Sequence, residues 1–403
     1  MTALAVRHIA ELCTCDPARG PAPGVIRDAA LVARDGVITF AGPDAALDGH
    51  TVPADAVEID ARGSAVVPGF VDSHTHLVWL GDRGDEYAAR AAGRTYEEIA
   101  ASGGGIRATI RATAPASIDD LAGAARARAR RMLRAGTTTV EVKSGYGLDH
   151  DAEMRQLDAA ARLRADADVP DVALTYLPLH GVPDGDHSAY IDDVCERGVR
   201  NAASRAAFAD AFCEVGAYSV EECERFFAAA RASGLRPKLH AEQRSRTGGA
   251  LLAARCGAVS ADHLDHATAS DLDALGSAGV AAVLLPGAAL VLGGPPPPGR
   301  RALDAGCTVA LATDCNPGTC YSESMPLMMS LAVATTGLTP AEALVAATTG
   351  GAAALALTDR GVLRPGCRCD AVILDTPHWV DLGYHLGGDV VRCVIRGGRA
   401  MVT

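Results

Sequence analysis

Two histidines separated by one residue, His74 and His76, end a short apolar run that begins at Pro68. On a β-strand, alternate side chains point to the same face, so both imidazoles project the same way from the strand end. Two imidazoles held together on a rigid strand form half of a metal site. Such a pair alone is weak evidence for a metal, so other parts of the chain have to supply the remaining ligands.

A histidine or an acidic residue also lies near the end of other apolar, strand-like runs. These further residues are His180, His240, His263 and Asp314. Together with the first pair, five of the twelve histidines stand at predicted carboxyl ends of strands, and the other seven do not. Histidines that each served a separate structural purpose would be scattered along the chain. The clustering therefore favours one site that collects these imidazoles.

The elements that must position these side chains alternate between strand and helix. The predicted strands are 65–72, 137–143, 172–180, 208–215, 237–242, 258–263, 280–286 and 308–314. The predicted helices between them include 117–135, 151–165, 220–233, 248–255, 269–278 and 298–305. Eight buried strands that alternate with helices predict a parallel sheet closed into a barrel. Barrels of this kind carry their chemistry at the carboxyl ends of the strands, where the histidines lie.

The two ends of the chain carry short strand-like pieces and turns instead of this alternation. The pieces are 3–7, 30–34, 36–41 and 56–60 before the barrel, and 371–374, 390–396 and 400–402 after it. Neither end alone can bury much apolar surface, so we expect both to join in one small domain. The predicted fold is α/β: a (β/α)8 TIM barrel over 65–359, with a small β-sandwich domain formed by 1–64 and 360–403.

Composition narrows the classes of partner. The formal net charge of −12 and the lack of any Lys/Arg run argue against a nucleic-acid or anionic-membrane surface. The longest apolar stretch, 280–292, is too short to span a bilayer. The first residues lack a secretory pattern, and twelve cysteines in such a chain predict reduced thiols. We expect a cytoplasmic protein that binds neither nucleic acid nor a membrane.

Three imidazoles and one carboxylate form a normal ligand set for Zn²⁺ or Fe²⁺. We assign this set to His74, His76, His240 and Asp314, which leaves room for a water molecule on one divalent cation per subunit. Such a cation lowers the pKa of a bound water from about 15.7 to near 7. Asp314 can take the proton of that water. His263, one strand further round, is then free to move protons or to polarise a carbonyl.

The fourth predicted strand bears on the number of metal ions. Two-metal barrels usually need a bridging carboxylate, often a modified lysine on strand four, and this strand has Glu214 but no lysine. We therefore predict one metal ion. Lys143, at the end of strand two, is the lysine near the rim. Its sequence position leaves two interpretations open, a barrel-supporting ion pair and a role in substrate binding.

Longer motifs give the chain a family resemblance. They are 71–78, 81–86, 95–100, 103–106, 138–148, 240–243, 260–263, 284–287 and 312–319. On these motifs the whole chain resembles the amidohydrolase superfamily and, within it, the imidazolonepropionases. The HxH pair and the late aspartate are signals of the superfamily. The run Glu-Val-Lys-Ser-Gly-Tyr-Gly and the run Thr-Asp-Cys-Asn-Pro-Gly are far more specific.

The resemblance implies an enzyme of histidine degradation that hydrolyses the ring C–N bond of 4-imidazolone-5-propanoate to N-formimidoyl-L-glutamate. It implies His263 and Asp314 as catalytic residues, Zn or Fe as the metal, and a homodimer. It also implies that Arg83 binds the propionate carboxylate, since an Arg–carboxylate pair gives both affinity and orientation. The other implied substrate contacts are Tyr146, His180, Gln243, Asn316, Gly318 and Thr319.

Several of these positions have a plainer interpretation. Without the resemblance, Tyr146 would be a cap on the barrel and Asn316-Pro317-Gly318 an ordinary turn. Strand parity places Glu242 on the face of His240, whereas the family contact falls on Gln243. We keep Gln243 as the contact, because the strand is expected to end here.

Two rival functions use the same barrel. A guanine- or cytosine-type aromatic deaminase would place the same metal ligands against another ring, but Arg83 predicts an acidic substrate. A catalytically silent barrel that serves as a binding scaffold would lack a metal ligand, and the full set is present here.

Overall fold

The structure is a computed structural model that describes residues 3–47, 52–95, 98–99 and 103–401. Part of the 95–100 motif and the end of the predicted strand 400–402 lie outside these ranges. The strands are β1 (Ala3–Cys13), β2 (Val25–Arg34), β3 (Val37–Pro43), β4 (Val57–Asp60), β5 (Val66–Pro68), β6 (Phe70–Asp72), β7 (Thr137–Lys143), β8 (Asp171–Leu179), β9 (Phe208–Cys213), β10 (Arg236–Ala241), β11 (Ser260–His263), β12 (Ala281–Leu284), β13 (Val309–Leu311), β14 (Ala371–Leu374), β15 (Val391–Arg396) and β16 (Arg399–Met401).

The α-helices are α1 (Gly84–Ala91), α2 (Ile106–Thr113), α3 (Ile118–Arg134), α4 (His150–Arg162), α5 (His187–Asp193), α6 (Val199–Ala202), α7 (Val220–Ala232), α8 (Gly249–Cys256), α9 (Ala269–Ala278), α10 (Pro286–Leu292), α11 (Gly299–Asp304), α12 (Met325–Thr335), α13 (Pro340–Val345), α14 (Gly351–Ala354) and α15 (Asp381–Tyr384). Two π-helical turns, Val194–Gly198 and Ala346–Gly350, continue α5 and α13. Among the described residues, no helix combines the length and apolar character needed to cross a membrane.

Strands β6 to β13 pair in chain order, and every pairing between them is parallel. The sheet closes just beyond its first and last strands, through a parallel bridge between Thr75 and Cys315. At this closure the Asp314 backbone N–H donates to the His74 carbonyl at 3.1 Å, and the His76 N–H donates to Cys315 at 3.0 Å. The barrel prediction is confirmed, and the closing seam joins the two segments that carry predicted metal ligands.

The terminal segments form a second, mixed sheet in the order β16-β15-β14-β5-β1-β2-β3, with β4 pairing β1. Both ends of the chain thus contribute to one β unit, as predicted. The predicted strand 65–72 is two strands, because β5 pairs with β14 and β6 pairs with β7. Gly69 separates them where a Cβ atom would lie 2.3 Å from Thr138 Oγ1. The division of the chain at residues 64 and 360 stays a prediction.

Local sequence signals account for the barrel helices. Helix α3 begins after Ser117, whose side chain accepts the Asp120 N–H, and it presents a buried apolar stripe that includes Leu121, Ala125 and Met132. This spacing matches the helical repeat, so the stripe faces the barrel. Gly136 follows the helix with a φ of 97°, a backbone conformation that favours glycine. The helix therefore ends where the chain must turn into β7.

The interior of the barrel is charged along strands β7, β9, β10 and β11. The chain contains two lysines, Lys143 on β7 and Lys238 on β10, and both side chains are buried. Buried carboxylates of Glu141, Asp210 and Asp262 surround them. Lysine and acidic side chains are rarely buried unless they are paired. The twelve cysteines, by contrast, are all free thiols, as the composition predicted.

Candidate metal centre

The four predicted metal ligands converge at the carboxyl ends of β6, β10 and β13. His76 Nε2 lies 3.3 Å from His74 Nε2 and 3.4 Å from His240 Nε2. Asp314 Oδ1 lies 3.6 Å from His74 Nε2 and 3.5 Å from His76 Nε2. His74, His76 and Asp314 are buried, as is His240. Residues separated by up to 240 positions in the chain therefore present their donor atoms to one point.

Carboxylates beside the Nδ1 atoms of two histidines favour the proton on that ring nitrogen. His74 Nδ1 lies 2.6 Å from Asp262 Oδ2, and His240 Nδ1 lies 3.1 Å from Asp210 Oδ2. Because Asp262 accepts, His74 Nδ1 carries the hydrogen and its Nε2 keeps a lone pair. The Asp210 carboxylate next to His240 Nδ1 favours the same tautomer in His240. Both of these Nε2 atoms lie close to His76 Nε2, at 3.3 Å for His74 and at 3.4 Å for His240. Converging nitrogen lone pairs beside a carboxylate oxygen fit a divalent cation.

The protonation states suit the same interpretation. Burial lowers the pKa of His74 well below its ordinary value, and the nearby charge of Lys143 acts in the same direction. Burial also lowers the pKa of His76 well below its ordinary value, with His240 adding to the effect. Neutral imidazoles are the form that binds metal. The donor set therefore fits one ion with three nitrogen ligands and one oxygen ligand.

A buried ion-pair network lies directly beneath the ligands. Lys143 Nζ lies 2.8 Å from Glu141 Oε2, 2.7 Å from Asp210 Oδ2 and 3.7 Å from Asp262 Oδ2. Lys238 Nζ lies 3.1 Å from Glu141 Oε1. Burial acts to lower the pKa of Lys143, but the charges of Asp210 and Glu141 outweigh burial and raise it. Lys143 is therefore a cation that fixes Asp210 and Asp262, the two carboxylates in contact with His240 and His74.

Sequence reasoning left the role of Lys143 open and did not single out Asp210 or Lys238. A usable signal was present, because charged residues stand at alternate positions within otherwise apolar strands. Glu141 and Lys143 share one face of β7, and Lys238 and His240 share one face of β10. A charged side chain at such a buried position must be paired, so the pattern predicts that these acidic and basic residues form ion pairs inside the barrel.

Replacing Lys143 with methionine tests this network. We expect a loss of about 3–5 kcal/mol in the free energy of unfolding, because removal of one partner leaves buried carboxylates uncompensated. Urea unfolding followed by circular dichroism measures the loss. Arg197→Met serves as the control, since Arg197 forms an exposed ion pair with Asp193 and should change stability little. Equal stability of wild type and Lys143→Met would contradict the role given to this lysine.

Asp314 is held by the turn that follows it. Asn316 Nδ2 donates to Asp314 Oδ1 at 2.9 Å, and Thr319 Oγ1 donates to Asp314 Oδ2 at 3.1 Å. Asn316 Oδ1 in turn accepts the backbone N–H groups of Gly318 and Thr319, each at 2.8 Å. Burial raises the pKa of Asp314. The turn thus fixes the orientation of the Asp314 carboxylate.

A cavity of about 510 Å³ opens above these groups. Its lining includes the predicted site residues His76, Arg83, Tyr146, His180, His240, Gln243, His263, Asp314, Asn316, Gly318 and Thr319. His74 lies below the lining and is completely buried. All the site residues predicted from the sequence therefore meet at one end of the barrel, and a ligand in the cavity would face both the metal ligands and Arg83.

Arg83 stands before helix α1 and is fixed by one acidic residue. Its Nε and Nη2 donate to Glu86 Oε2 at 2.9 and 2.7 Å. Glu86 Oε1 accepts the Gly105 N–H at 3.0 Å, which ties the pair to the glycine-rich loop. A Cβ atom at position 318 would lie 2.2 Å from Arg83 Nη1, so Gly318 leaves room for the guanidinium. Sequence reasoning named Arg83 and Gly318 but missed Glu86.

His180 and Tyr146 form the wall next to His76. The His180 ring stacks on the His76 ring with centroids 4.9 Å apart and 14° between planes. His180 Nδ1 lies 3.1 Å from the Gly145 carbonyl, so Nδ1 donates and Nε2 keeps its lone pair. Burial raises the pKa of Tyr146, which keeps its hydroxyl protonated. This wall therefore offers one acceptor and one hydroxyl donor.

His263 ends β11 in an unusual backbone conformation. Its φ is 77° and that of Leu264 is 65°, and side chains other than glycine rarely adopt such values. Its ring centroid lies 5.3 Å from that of His240 and 5.4 Å from that of His74. Burial lowers the pKa of His263 to about 3, so the ring is neutral. A neutral imidazole beside the ligands can accept a proton.

The structure distinguishes Glu242 from Gln243. Glu242 accepts the backbone N–H groups of Thr247, Gly248 and Ala250 at 2.6, 3.1 and 3.0 Å, so its carboxylate caps the start of α8. Gln243 lines the cavity. Strand parity fails at this point because Glu242 has a φ of 54° and β10 has already ended at Ala241.

Comparisons with known proteins agree with this geometry. A family model described as "Amidohydrolase family" matches residues 83–402. The imidazolonepropionase of Deinococcus radiodurans is 46% identical, with 95% of each chain covered. The imidazolonepropionase of Streptomyces griseus is 44% identical, with 100% of each chain covered.

Solved structures at lower identity share the fold. The N-isopropylammelide isopropylaminohydrolase of Burkholderia multivorans has a TM-score of 0.71 at 21% identity, with 99% of this chain and 98% of that chain covered. The triazine hydrolase of Arthobacter aurescens has a TM-score of 0.74 at 20% identity, with coverages of 99% and 94%. At such identities the likeness shows the fold alone.

Proposed function

The chain belongs to the amidohydrolase family and, within it, to the imidazolonepropionases, and from this premise we propose how its barrel rim works. The enzyme hydrolyses the ring C–N bond of 4-imidazolone-5-propanoate to N-formimidoyl-L-glutamate. The observation that carries the site assignment is the arrangement of one cavity. Three histidines and an aspartate converge at its base, and Arg83 stands in the same lining.

His74, His76, His240 and Asp314 would hold one Zn²⁺ or Fe²⁺ ion per subunit. When bound, such an ion polarises a carbonyl and lowers the pKa of a water molecule from about 15.7 to near 7. Asp262 and Asp210 keep the Nε2 atoms of His74 and His240 free to bind, through their contacts with the two Nδ1 atoms.

Arg83 orients the substrate by binding its propionate carboxylate with a forked pair of N–H donors. Tyr146, His180 and Gln243 contact the ring from the cavity wall, and Asn316, Gly318 and Thr319 complete the pocket. In the reaction a water oxygen bonds to the ring carbonyl carbon and the bond from that carbon to nitrogen breaks. One water proton passes to Asp314 and from there, through His263, to the departing nitrogen, while the other stays on the oxygen until the new carboxyl group ionises.

Neither rival function is favoured by the geometry. The substrate of a guanine- or cytosine-type deaminase has no anionic substituent for Arg83 to bind. A catalytically silent scaffold would not need a complete set of metal ligands. The homodimer, the cytoplasmic location, the lack of nucleic-acid and membrane binding, and the choice between zinc and iron stay predictions.

Metal analysis paired with turnover tests the proposal. The protein is purified without chelator, its metal content is measured by mass spectrometry, and its activity is measured on 4-imidazolone-5-propanoate, guanine and cytosine. We expect one equivalent of Zn or Fe per chain and turnover of the imidazolone alone. Deamination of guanine or cytosine without imidazolone hydrolysis would overturn the proposed substrate.

Glu86→Gln tests how Arg83 is positioned. The change keeps the size of the side chain but removes the charge that holds the guanidinium. We expect KM for the imidazolone to rise roughly tenfold with kcat nearly unchanged, because charge-assisted hydrogen bonds are about twice as strong as neutral ones. Steady-state kinetics gives both constants. Asp85→Asn is the matched control, since the neighbouring Asp85 is exposed, and an equal rise in its KM would contradict the assignment.

A further inference from the structure

Asp265 is a cavity residue to which the mechanism above gives no task. It lies two positions after His263, in the turn that leaves β11. The backbone is fastened on both sides of it, because the Leu264 N–H donates to Ala241 at 3.0 Å and the His266 N–H donates to Glu242 at 2.8 Å. His263 and Leu264 both have positive φ values, 77° and 65°. Strained backbone of this kind persists where the surroundings hold a functional geometry.

The carboxyl group of Asp265 is buried and incompletely paired. The residue is 7% exposed, and its Oδ1 atom is buried without a hydrogen-bond partner among the described residues. A buried polar atom without a partner costs stability, and native proteins contain few of them. The fold therefore maintains a carboxyl group here although none of the described residues donates a hydrogen bond to Oδ1.

The cavity supplies a reason for that arrangement. Among its described lining residues, Asp265 and Asp314 are the two that carry a carboxyl group. Both oxygens of Asp314 are engaged, by Asn316 and Thr319, and one of them faces the histidine cluster. Asp265 Oδ1 is thus the carboxyl oxygen in the lining that is left to accept a hydrogen bond from a ligand.

We propose that Asp265 is a further substrate-binding residue, whose carboxyl oxygen accepts a hydrogen bond from a ring N–H of the imidazolone. The inference rests on the proposed function and adds a contact to the ring. Arg83 binds the anionic end of the substrate, and Asp265 binds the polar edge of the ring. Two anchors, one for the carboxylate and one for a ring N–H, fix the direction in which the ring lies against the metal ligands.

A structural role and a binding role predict opposite effects on stability. Removal of an unpaired buried carboxyl relieves a desolvation cost, so Asp265→Leu should leave Tm unchanged or raise it. The same variant should raise KM for 4-imidazolone-5-propanoate by roughly 2- to 10-fold, the loss expected for a hydrogen bond to a neutral group, since burial raises the pKa of Asp265 to about 8. Asp265→Asn keeps one carbonyl oxygen and should recover part of the affinity. Asp273→Asn, on the exposed side of α9, is the matched control.

Binding can also be measured without turnover. Imidazole-4-propionate keeps the ring N–H and the propionate but lacks the carbonyl that is attacked. Calorimetric titration of the protein purified without chelator should give a Kd that Asp265→Leu weakens as strongly as it raises KM and that Asp273→Asn leaves unchanged. An unchanged KM and Kd in Asp265→Leu, or a fall in Tm that accounts for the lost activity, would overturn the inference alone. A wild-type chain that does not hydrolyse the imidazolone would remove the proposed function and the inference with it.

Discussion

Replacing His74 with alanine should abolish both metal uptake and hydrolysis. His74 is the ligand most enclosed by the protein, because its Nδ1 contacts Asp262 and its Nε2 lies within 3.6 Å of Asp314 and close to His76. Its removal deletes one of four donors and leaves Asp262 without the imidazole that it orients. Loss of an outer hydrogen bond to a metal ligand costs roughly 10- to 100-fold in metal affinity or activity, and loss of the ligand should exceed this.

Metal content by mass spectrometry and imidazolone hydrolysis are the two measurements. Circular dichroism confirms that the variant is folded. His378→Ala is the matched control, since that histidine is exposed and contacts Glu11 in the terminal sheet. A folded, fully metallated and active His74→Ala protein would refute the ligand set.

Arg83→Ala should raise KM for 4-imidazolone-5-propanoate by roughly 10- to 100-fold, the range for a hydrogen bond to a charged group. The guanidinium is half-buried and already oriented by Glu86, so a carboxylate meets it without further ordering. Arg83→Lys keeps the charge but loses the planar fork, and it should lie between wild type and alanine. The kcat value should fall less than kcat/KM, because Arg83 contacts the part of the substrate that does not react.

Steady-state kinetics on the imidazolone gives the comparison, and Arg94→Ala is the control from the exposed end of the same segment. The effect should disappear for a substrate analogue that lacks the carboxylate. If Arg83→Ala lost the same factor on that analogue as on the natural substrate, the guanidinium would not be the carboxylate clamp.

The fold could be predicted from the sequence because the strand pattern and the helix pattern alternate regularly along the chain. Apolar runs alternating with amphipathic helices predicted the barrel, and β7 and α9 occur over the predicted residues. The pairing of the predicted strand 65–72 could not be predicted, because its residues 65–71 are apolar whether they form one strand or two. The strand pairings in the structure show that the chain leaves the terminal sheet and enters the barrel at Gly69.

Most of the residues in the candidate site could also be predicted from the sequence. Histidine and aspartate residues at the strand ends predict a metal site, because few other functions need several imidazoles at one end of a barrel. The positions of Glu242 and Gln243 could not be decided by parity, which holds only while the backbone stays extended, and Glu242 has left that region. Asp210 and Asp262 act through their contacts with histidines from other strands, and such contacts between distant segments have no local pattern.

Both lysine side chains of this chain are enclosed within the barrel. The folded chain thus offers almost no lysine amine to an acylating reagent. Side-chain acylation would instead report on unfolding, because each lysine becomes reactive only when its strand leaves the barrel.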